Sequence, residues 1–421
     1  IMSVIIISLA CLFFIGHVLQ WFFVKTKIPD LLLLIIAGFI AGPSVLSIAQ
    51  QQDLGKVGPV LATITLIIIL YEGGLNLRAT DFLKSSVPAL ILSLLSFGLI
   101  VGATTTVLNM FFSFSTALLV GVGIGSTSSA IVFPLIKPLD IQDNTKTVLS
   151  LESAFTDVLS IVAFLVILES VLSKNFSASS LVFGFGAKPF ISIGLGVGSA
   201  LLWAFLRKAF LNLFDMPFSG EAWSLLTYGC IEMFQLNGAI GILALGFTLA
   251  NLNLIPRSLG FIFNLTPVKE KEMSLLKEIS FLLRTFFFLY LGMMMQVSSI
   301  NLFFWAALLV ALIYVTRYAS VRVVFPSGKT PFFDSLIAFA MGPRGLACAV
   351  LATLPAQRGL EDGLWIQNVI FYVIFISIIV TSLFVIFGKT GLFTKTFQPL
   401  FAGAQDSSSD GEVTSSENEL T

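Results

Sequence analysis

Long apolar runs, punctuated by Pro, Gly or charge, occupy most of the 421 residues. A run of eighteen or more apolar residues has the length a helix needs to cross a hydrocarbon core. The pattern predicts thirteen spans, over 2–24, 31–49, 57–77, 87–111, 115–136, 146–171, 181–206, 221–236, 238–255, 277–298, 301–323, 331–356 and 365–388. The expected class is an all-α polytopic membrane protein. Spans eight and nine meet near Leu236-Asn237-Gly238 with almost no connector, and merging them makes the count even.

The placement of basic residues decides between the two counts. Sixteen Lys and Arg fall in loops 1–2, 3–4, 5–6, 7–8, 9–10 and 11–12 and in the C-terminal segment, against Lys56, Lys174, Lys188 and Arg358 on the opposite side. Positive charge accumulates in the cytoplasm, so the N-terminus is expected outside and the C-terminus inside. Merging spans eight and nine destroys that bias. The opening Ile1-Met2-Ser3 has no charged region and no small-residue cleavage site, so the first run reads as a retained span. Beyond Gly403 the chain turns to Ser, Asp and Glu, and 403–421 reads as a disordered acidic cytoplasmic tail. The stretch near 256–276, with Pro256, Pro267 and alternating Lys and Glu, reads as a link between two halves.

Composition narrows the function classes. Hydrophobic residues make up 57% and charged residues 11%, and the mean hydropathy is +0.99. Soluble proteins carry roughly 25% charged residues, so a soluble enzyme, a nucleic-acid binder and a disulfide-stapled secreted domain are excluded. Cys11, Cys230 and Cys348 lack paired spacing, and the single histidine, His17, makes a histidine-ligated metal centre improbable. The expected surroundings are a lipid bilayer, with no nucleic acid and no cofactor.

Six charges nevertheless fall inside predicted spans: Glu72, Glu152, Asp157, Arg284, Arg317 and Arg344. Each costs at least ~2.5–3.5 kcal/mol at the centre of a membrane helix, so together they point to an ion or proton pathway with mutual pairing. In span six, Ser153, Thr156, Asp157 and Ser160 stand at i, i+3, i+4 and i+7, forming one polar stripe. A lone hydroxyl there is ordinarily satisfied by its own i−4 carbonyl. Three around a carboxylate offer hard oxygen ligands for a small monovalent cation. Asp157 lies roughly 16 Å from the start of its span at 1.5 Å per residue, near the midplane. A bare carboxylate is disfavoured there, so H⁺ competes with the cation for it. Glu152 and Arg317 match in depth and read as a structural ion pair, with Arg284 as the competing partner and Glu72 as the acid for whichever arginine is left.

Two spans carry helix breakers. Span five contains Gly121, Gly123, Gly125, Ser126, Thr127, Ser128, Ser129 and Pro134; span twelve contains Met341-Gly342-Pro343-Arg344-Gly345. Such glycines also permit close helix packing. Interrupted segments at corresponding places in two halves are instead the mark of a transporter site, and Arg344 is placed to hold freed carbonyls. Spans 4–6 and 11–13 run in opposite directions, so the repeat is inverted, with two discontinuous helices crossing at the midplane. A nucleophilic serine in the Gly-x-Gly-Ser run needs a nearby base, and span five has none.

These residues resemble the monovalent cation:proton antiporter superfamily, in its thirteen-span sodium/proton exchanger branch. The likeness rests on Glu152-Ser-Ala-Phe-Thr156-Asp157, Gly125-Ser-Thr-Ser128, Tyr71-Glu72-Gly73-Gly74-Leu75, the Phe286–Met293 run, Arg317 and Gly342-Pro-Arg344-Gly345, and covers about 1–390. It implies a homodimer with a scaffold (1–86 and 181–298) and a six-helix core (87–171 and 301–388) that moves like an elevator. It also implies Asp157 as shared Na⁺ or K⁺ and proton ligand, with Ser153, Thr156 and oxygens at Ser126, Thr127 and Ser128. Glu72 joins the ion's shell or its cytoplasmic funnel, and Glu152, Arg317, Arg344 and Arg284 give support. The branch usually has Asn-Asp or Asp-Asp where this chain has Thr156-Asp157, and often an acid where it has Ser128. One midplane carboxylate without an intramembrane lysine predicts electroneutral exchange, and leaves Na⁺ or K⁺ open. The alternatives are a cation channel or uniporter, which needs a continuous pore, and a sodium-coupled solute symporter, which needs groups for an organic substrate.

Overall fold

The computed structural model describes residues 13–19, 21–22, 30–43, 45–46, 51–76, 87–172, 187–210, 216–254, 270–295, 300–326 and 330–388. The expected tail at 403–421 and most of the expected link at 256–276 lie outside them. Within the described residues all regular structure is helical. Residues 13–19 and 21–22 are helical, and are followed by α1 (Asp30–Ala41), α2 (Gln51–Asn76), α3 (Val87–Leu108), α4 (Phe114–Gly123), α5 (Ser129–Ile136), α6 (Asp143–Leu172) and α7 (Ala187–Ala209). Then come α8 (Ser219–Met233), α9 (Gly238–Ala250), α10 (Glu270–Met294), α11 (Ile300–Val324), α12 (Phe332–Ala340), α13 (Leu346–Gln357) and α14 (Gly363–Phe387). Helices over Val87–Leu108, Asp143–Leu172, Phe190–Ala209, Asn301–Val324 and Gly363–Phe387 are each long and apolar enough to cross a membrane.

The helices sort into two sets by packing. One comprises α1, α2 and α7–α10, and the other α3–α6 and α11–α14. The sets meet where α2 and α10 lie against α13, and where α1 meets α14. Within the first set, α1 and α10 approach through glycine. A Cβ on Gly292 would overlap the carbonyl of Ile35, and one on Gly38 the carbonyl of Leu289. In a membrane, where apolar lipid offers helices no hydrophobic incentive to associate, such backbone proximity supplies the packing energy.

Several expected boundaries shift, two of them by about two turns. The helix expected from 277 begins at Glu270, two turns earlier. Glu272 accepts from Arg207 of α7 through both guanidinium nitrogens (2.6 and 3.1 Å) in a buried pair, so the first turn of α10 is docked onto α7 and not part of a loop. The helix expected to run to 49 stops at Ala41. Spans eight and nine are separate helices, and local chemistry makes the reversal. Gln235 adopts φ 56°, Asn237 caps α9 by accepting from the Ile240 N–H (3.1 Å), and Glu232 accepts from the Gly238 N–H (3.0 Å).

In the second set, each upstream half of a broken span is tied at its start to the start of a long helix. Asp334 in the first turn of α12 accepts from the Gln142 N–H (3.0 Å) and the Thr145 hydroxyl (2.7 Å), closing the N-terminus of α6. Thr116 in the first turn of α4 donates to Asp362 (2.6 Å), which precedes α14. In the first tie the long helix donates and the broken span accepts, and in the second the roles are exchanged. They hold opposite ends of the set together.

Gly292→Ala is expected to push α10 off α1 and destabilise the protein by ~1–3 kcal/mol, the usual cost of overpacking. A lowered midpoint of thermal unfolding in detergent would register it, and an unchanged midpoint would show that the two backbones are not in contact.

Candidate functional site

The two broken helices meet at their breaks. α4 ends at Gly123 and α5 starts at Ser129, leaving 124–128 non-helical, while 341–345 separates α12 from α13. The freed backbone groups bond across the crossing. The Ser128 N–H donates to the Pro343 carbonyl (2.9 Å), and the Arg344 guanidinium donates to the Ser126 carbonyl (2.6 Å) and the Thr127 hydroxyl (3.2 Å). The Arg344 N–H in turn donates to Ser377 of α14 (3.0 Å). The Ser128 side chain occupies the space a Cβ on Gly345 would need, so position 345 admits only glycine without a shift. Buried backbone polar groups must be paired, and here one break supplies the partners of the other.

A second arginine secures the end of α12. Arg317 of α11 donates through Nε to the Ala338 carbonyl (3.0 Å) and forms a two-pronged pair with Glu152 of α6, with the Nη2–Oε2 bond at 2.8 Å. Both residues are buried. Arg284, the competing partner at sequence level, is elsewhere: it lines a cavity together with Glu72.

That cavity has a volume of about 570 Å³ and lies between the two helix sets. Asp157, Ser128, Ser129 and Ser150 line it from one set, and Glu72, Asn76, Ser280 and Arg284 from the other. Asp157 accepts from the Ser129 hydroxyl (2.9 Å). Ser126, the Ser129 backbone and the Arg344 guanidinium also act on this carboxyl.

The stripe read from the sequence divides. Thr156 accepts from the Thr127 N–H (3.1 Å) and donates to the Ser153 carbonyl (3.2 Å), while Ser160 donates to the Val122 carbonyl (2.6 Å). Ser153 donates to the Ser150 carbonyl (2.9 Å), and Ser126 contacts the Cys348 thiol (3.2 Å). Ser126, Ser153, Thr156 and Ser160 are fully buried, and Thr156 and Ser160 brace the broken span while Asp157 faces the cavity. The Thr156 hydroxyl is thus spent on backbone, in place of the ligand role expected of it. Ser129, not singled out in the sequence, is the hydroxyl on the carboxylate. Its position as the first residue of α5 was the signal, but only after the break is located.

On the other side of this cavity, further along α6, the helix sets close on one another. A pocket of only about 20 Å³ remains, lined by residues including Leu66, Leu165, Leu168 and Leu354. Beside it Arg358, capping α13, donates to Glu232 of α8 (3.2 Å), an ion pair that crosses from one set to the other.

The family described as sodium/hydrogen exchanger, transmembrane, matches residues 7–387. The chain belongs to that family. It is 24% identical over 390 residues to the K(+)/H(+) antiporter NhaP of Alkalimonas amylolytica, covering 89% of this chain and 64% of that protein. It is 26% identical over 373 residues to the K(+)/H(+) antiporter NhaP2 of Shewanella sp. (strain ANA-3), covering 85% and 61%. The low-affinity Na(+)/H(+) antiporter NhaS1 of Synechocystis is 24% identical over 87% of this chain and 70% of its own. The chain therefore spans less than two thirds of the length of the two K(+)/H(+) relatives. The fold is similar to that of the sodium proton antiporter MjNhaP1 from Methanocaldococcus jannaschii, with a TM-score of 0.71, 21% identity and coverage of 95% of this chain and 99% of that one. Family membership and the apolar helices make this an integral, multi-pass membrane protein.

Removing Glu152 strands a buried guanidinium, which typically costs 3–5 kcal/mol. Glu152→Ala is therefore expected to lower stability by about that amount, whereas Glu72→Ala on the cavity wall changes it by less than about 0.5 kcal/mol. Thermal unfolding of the two variants side by side tests the contrast, and equal midpoints would contradict it.

Proposed function

We propose that the protein exchanges a monovalent cation, Na⁺ or K⁺, for H⁺ across a membrane. The observation that carries this reading is the cavity-facing Asp157 carboxylate, set beside two crossed helix breaks that bond to one another. A carboxylate in that place takes a proton or a cation, and competition for it couples the two fluxes. Family membership and the relatives' names as K(+)/H(+) and Na(+)/H(+) antiporters support it. Asp157 is the shared ligand, with the Thr127 and Ser126 backbone, Ser128 and Ser153 around it and Glu72 in the funnel. Glu152 with Arg317, and Arg344, hold the frame. One carboxylate at the crossing favours electroneutral exchange.

Alternating access follows from the two helix sets. The set holding Asp157 is the moving core, and the set holding Glu72 is the scaffold through which two copies dimerise. In a thirteen-span topology with the N-terminus outside and the C-terminus in the cytoplasm, as the basic loops suggest, the large cavity opens inward and the Glu232–Arg358 pair lies on the outer side. The tight closure there argues against a channel, which needs a continuous pore.

In proteoliposomes carrying a pH dye, addition of Na⁺ or K⁺ is expected to move protons with the parent protein and not with Asp157→Asn, which should stay folded. Cation-driven proton movement by that variant would remove Asp157 from its role. Acceleration by a clamped membrane potential would overturn electroneutrality. A second test addresses motion. In a background in which Cys11, Cys230 and Cys348 are replaced, Glu232→Cys with Arg358→Cys, joined by a cleavable cross-linker, should stop exchange until the link is reduced. Exchange at the unlinked rate would show that these helices never separate.

A further inference from the structure

The geometry points to Ser129 as a further ligand of the transported cation, its hydroxyl donating to Asp157 when the site is empty and turning its oxygen to the ion when one enters. This deepens, and rests on, the exchange reading above. The hydroxyls around Asp157 differ in what they are free to do. Thr156 and Ser160 hold the backbone of the broken span, and Ser153 is bonded to the Ser150 carbonyl of its own helix. Ser126 also acts on Asp157 but is fully buried against Cys348, and the side chain of Ser128 is wedged into the space at Gly345. Turning any of these toward an ion breaks a contact or moves a helix end.

Ser129 carries no such duty. It is partly exposed to the cavity, and the bond described for its side chain runs to Asp157 Oδ2 at 2.9 Å. A hydroxyl has one proton to donate and two lone pairs to offer. In the cation-free anionic site the proton points at Asp157, a charge-assisted bond that steadies the carboxylate. A cation arriving between the two oxygens makes that bond unnecessary. The hydroxyl then rotates about its C–O bond, and the same oxygen becomes a hard neutral ligand beside the charged one, the donor type that suits small hard cations. No covalent bond is made or broken, and no other contact described in the structure is lost. The first residue of α5 thus adds a neutral oxygen next to a site that has Ser128 where the family often has an acid.

The test measures initial rates of cation-driven proton movement in proteoliposomes at a fixed pH over a range of Na⁺ or K⁺. Ser129→Ala is expected to raise KM about tenfold, the equivalent of one good polar contact, with the maximal rate within about twofold of the parent. Ser129→Thr, which keeps the hydroxyl, should restore KM to within about twofold. Should the alanine variant not purify as a folded protein, Ser129→Cys has nearly the same shape with a poor oxygen substitute, and should raise KM in the same way. A parent-like KM in Ser129→Ala or Ser129→Cys overturns the inference, as does a fall in maximal rate with KM unchanged, which would make Ser129 structural. Absence of exchange by the parent itself would instead refute the exchange reading.

Discussion

Backbone that leaves a helix among apolar neighbours must find other partners for its N–H and C=O groups, or each costs several kcal/mol. Among the described residues that demand falls on 124–128 and 341–345, and two arginines meet much of it. Arg344 reaches from the second break to the Ser126 carbonyl in the first, and Arg317 reaches the Ala338 carbonyl near the end of α12. A buried guanidinium is itself expensive, and Glu152 neutralises Arg317 with two parallel bonds. Arg344 is surrounded by carbonyl and hydroxyl oxygens of the crossing. Without these two side chains the breaks have no reason to persist, and without the breaks Asp157 has no polar neighbourhood.

The polar groups of the crossing divide into those that build it and those that face the cavity. The hydroxyls of Thr156, Ser160 and Ser377 are consumed in holding backbone, and that of Ser126 lies against the Cys348 thiol. Asp157 and Ser129 face open space between the helix sets, opposite Glu72 and Arg284. Buried polar networks of this kind stiffen the chain that carries them. The two polar ties, Asp334 to α6 and Thr116 to Asp362, extend that rigidity to both ends of the set. Against the other set the described contacts are of a different kind: leucines around a small pocket and a partly exposed ion pair between Glu232 and Arg358. Exposed ion pairs are worth little individually, which suits the motion proposed for this contact.

Much of this was legible in one dimension. Apolar run length located the helices to within a turn or two, because the thickness of hydrocarbon sets a minimum length independent of neighbours. Gly and Pro in spans five and twelve marked both breaks, since they weaken a helix wherever they stand. The six interior charges were visible because nothing else in such runs is charged, and the Glu152–Arg317 match followed from counting residues to a common depth. Glu270–Lys277, by contrast, resembled a polar loop. Its helix is held by Arg207, more than sixty residues away, and local composition carries no trace of that partner.

The sequence by itself determined the class, the order of the helices, the two interruptions and the carboxylate between them, because each depends on the cost of placing a residue type in an apolar medium. Only the tertiary structure decided which hydroxyls the frame consumes and that Ser129 faces the cavity beside Asp157. A helical stripe puts Ser153, Thr156, Asp157 and Ser160 on one side, but a side's worth of neighbours is needed to say that Thr156 meets a backbone N–H and Asp157 meets Ser129. Those neighbours come from chain segments about thirty residues distant, brought in by a crossing whose angle is fixed by packing and not by any local pattern.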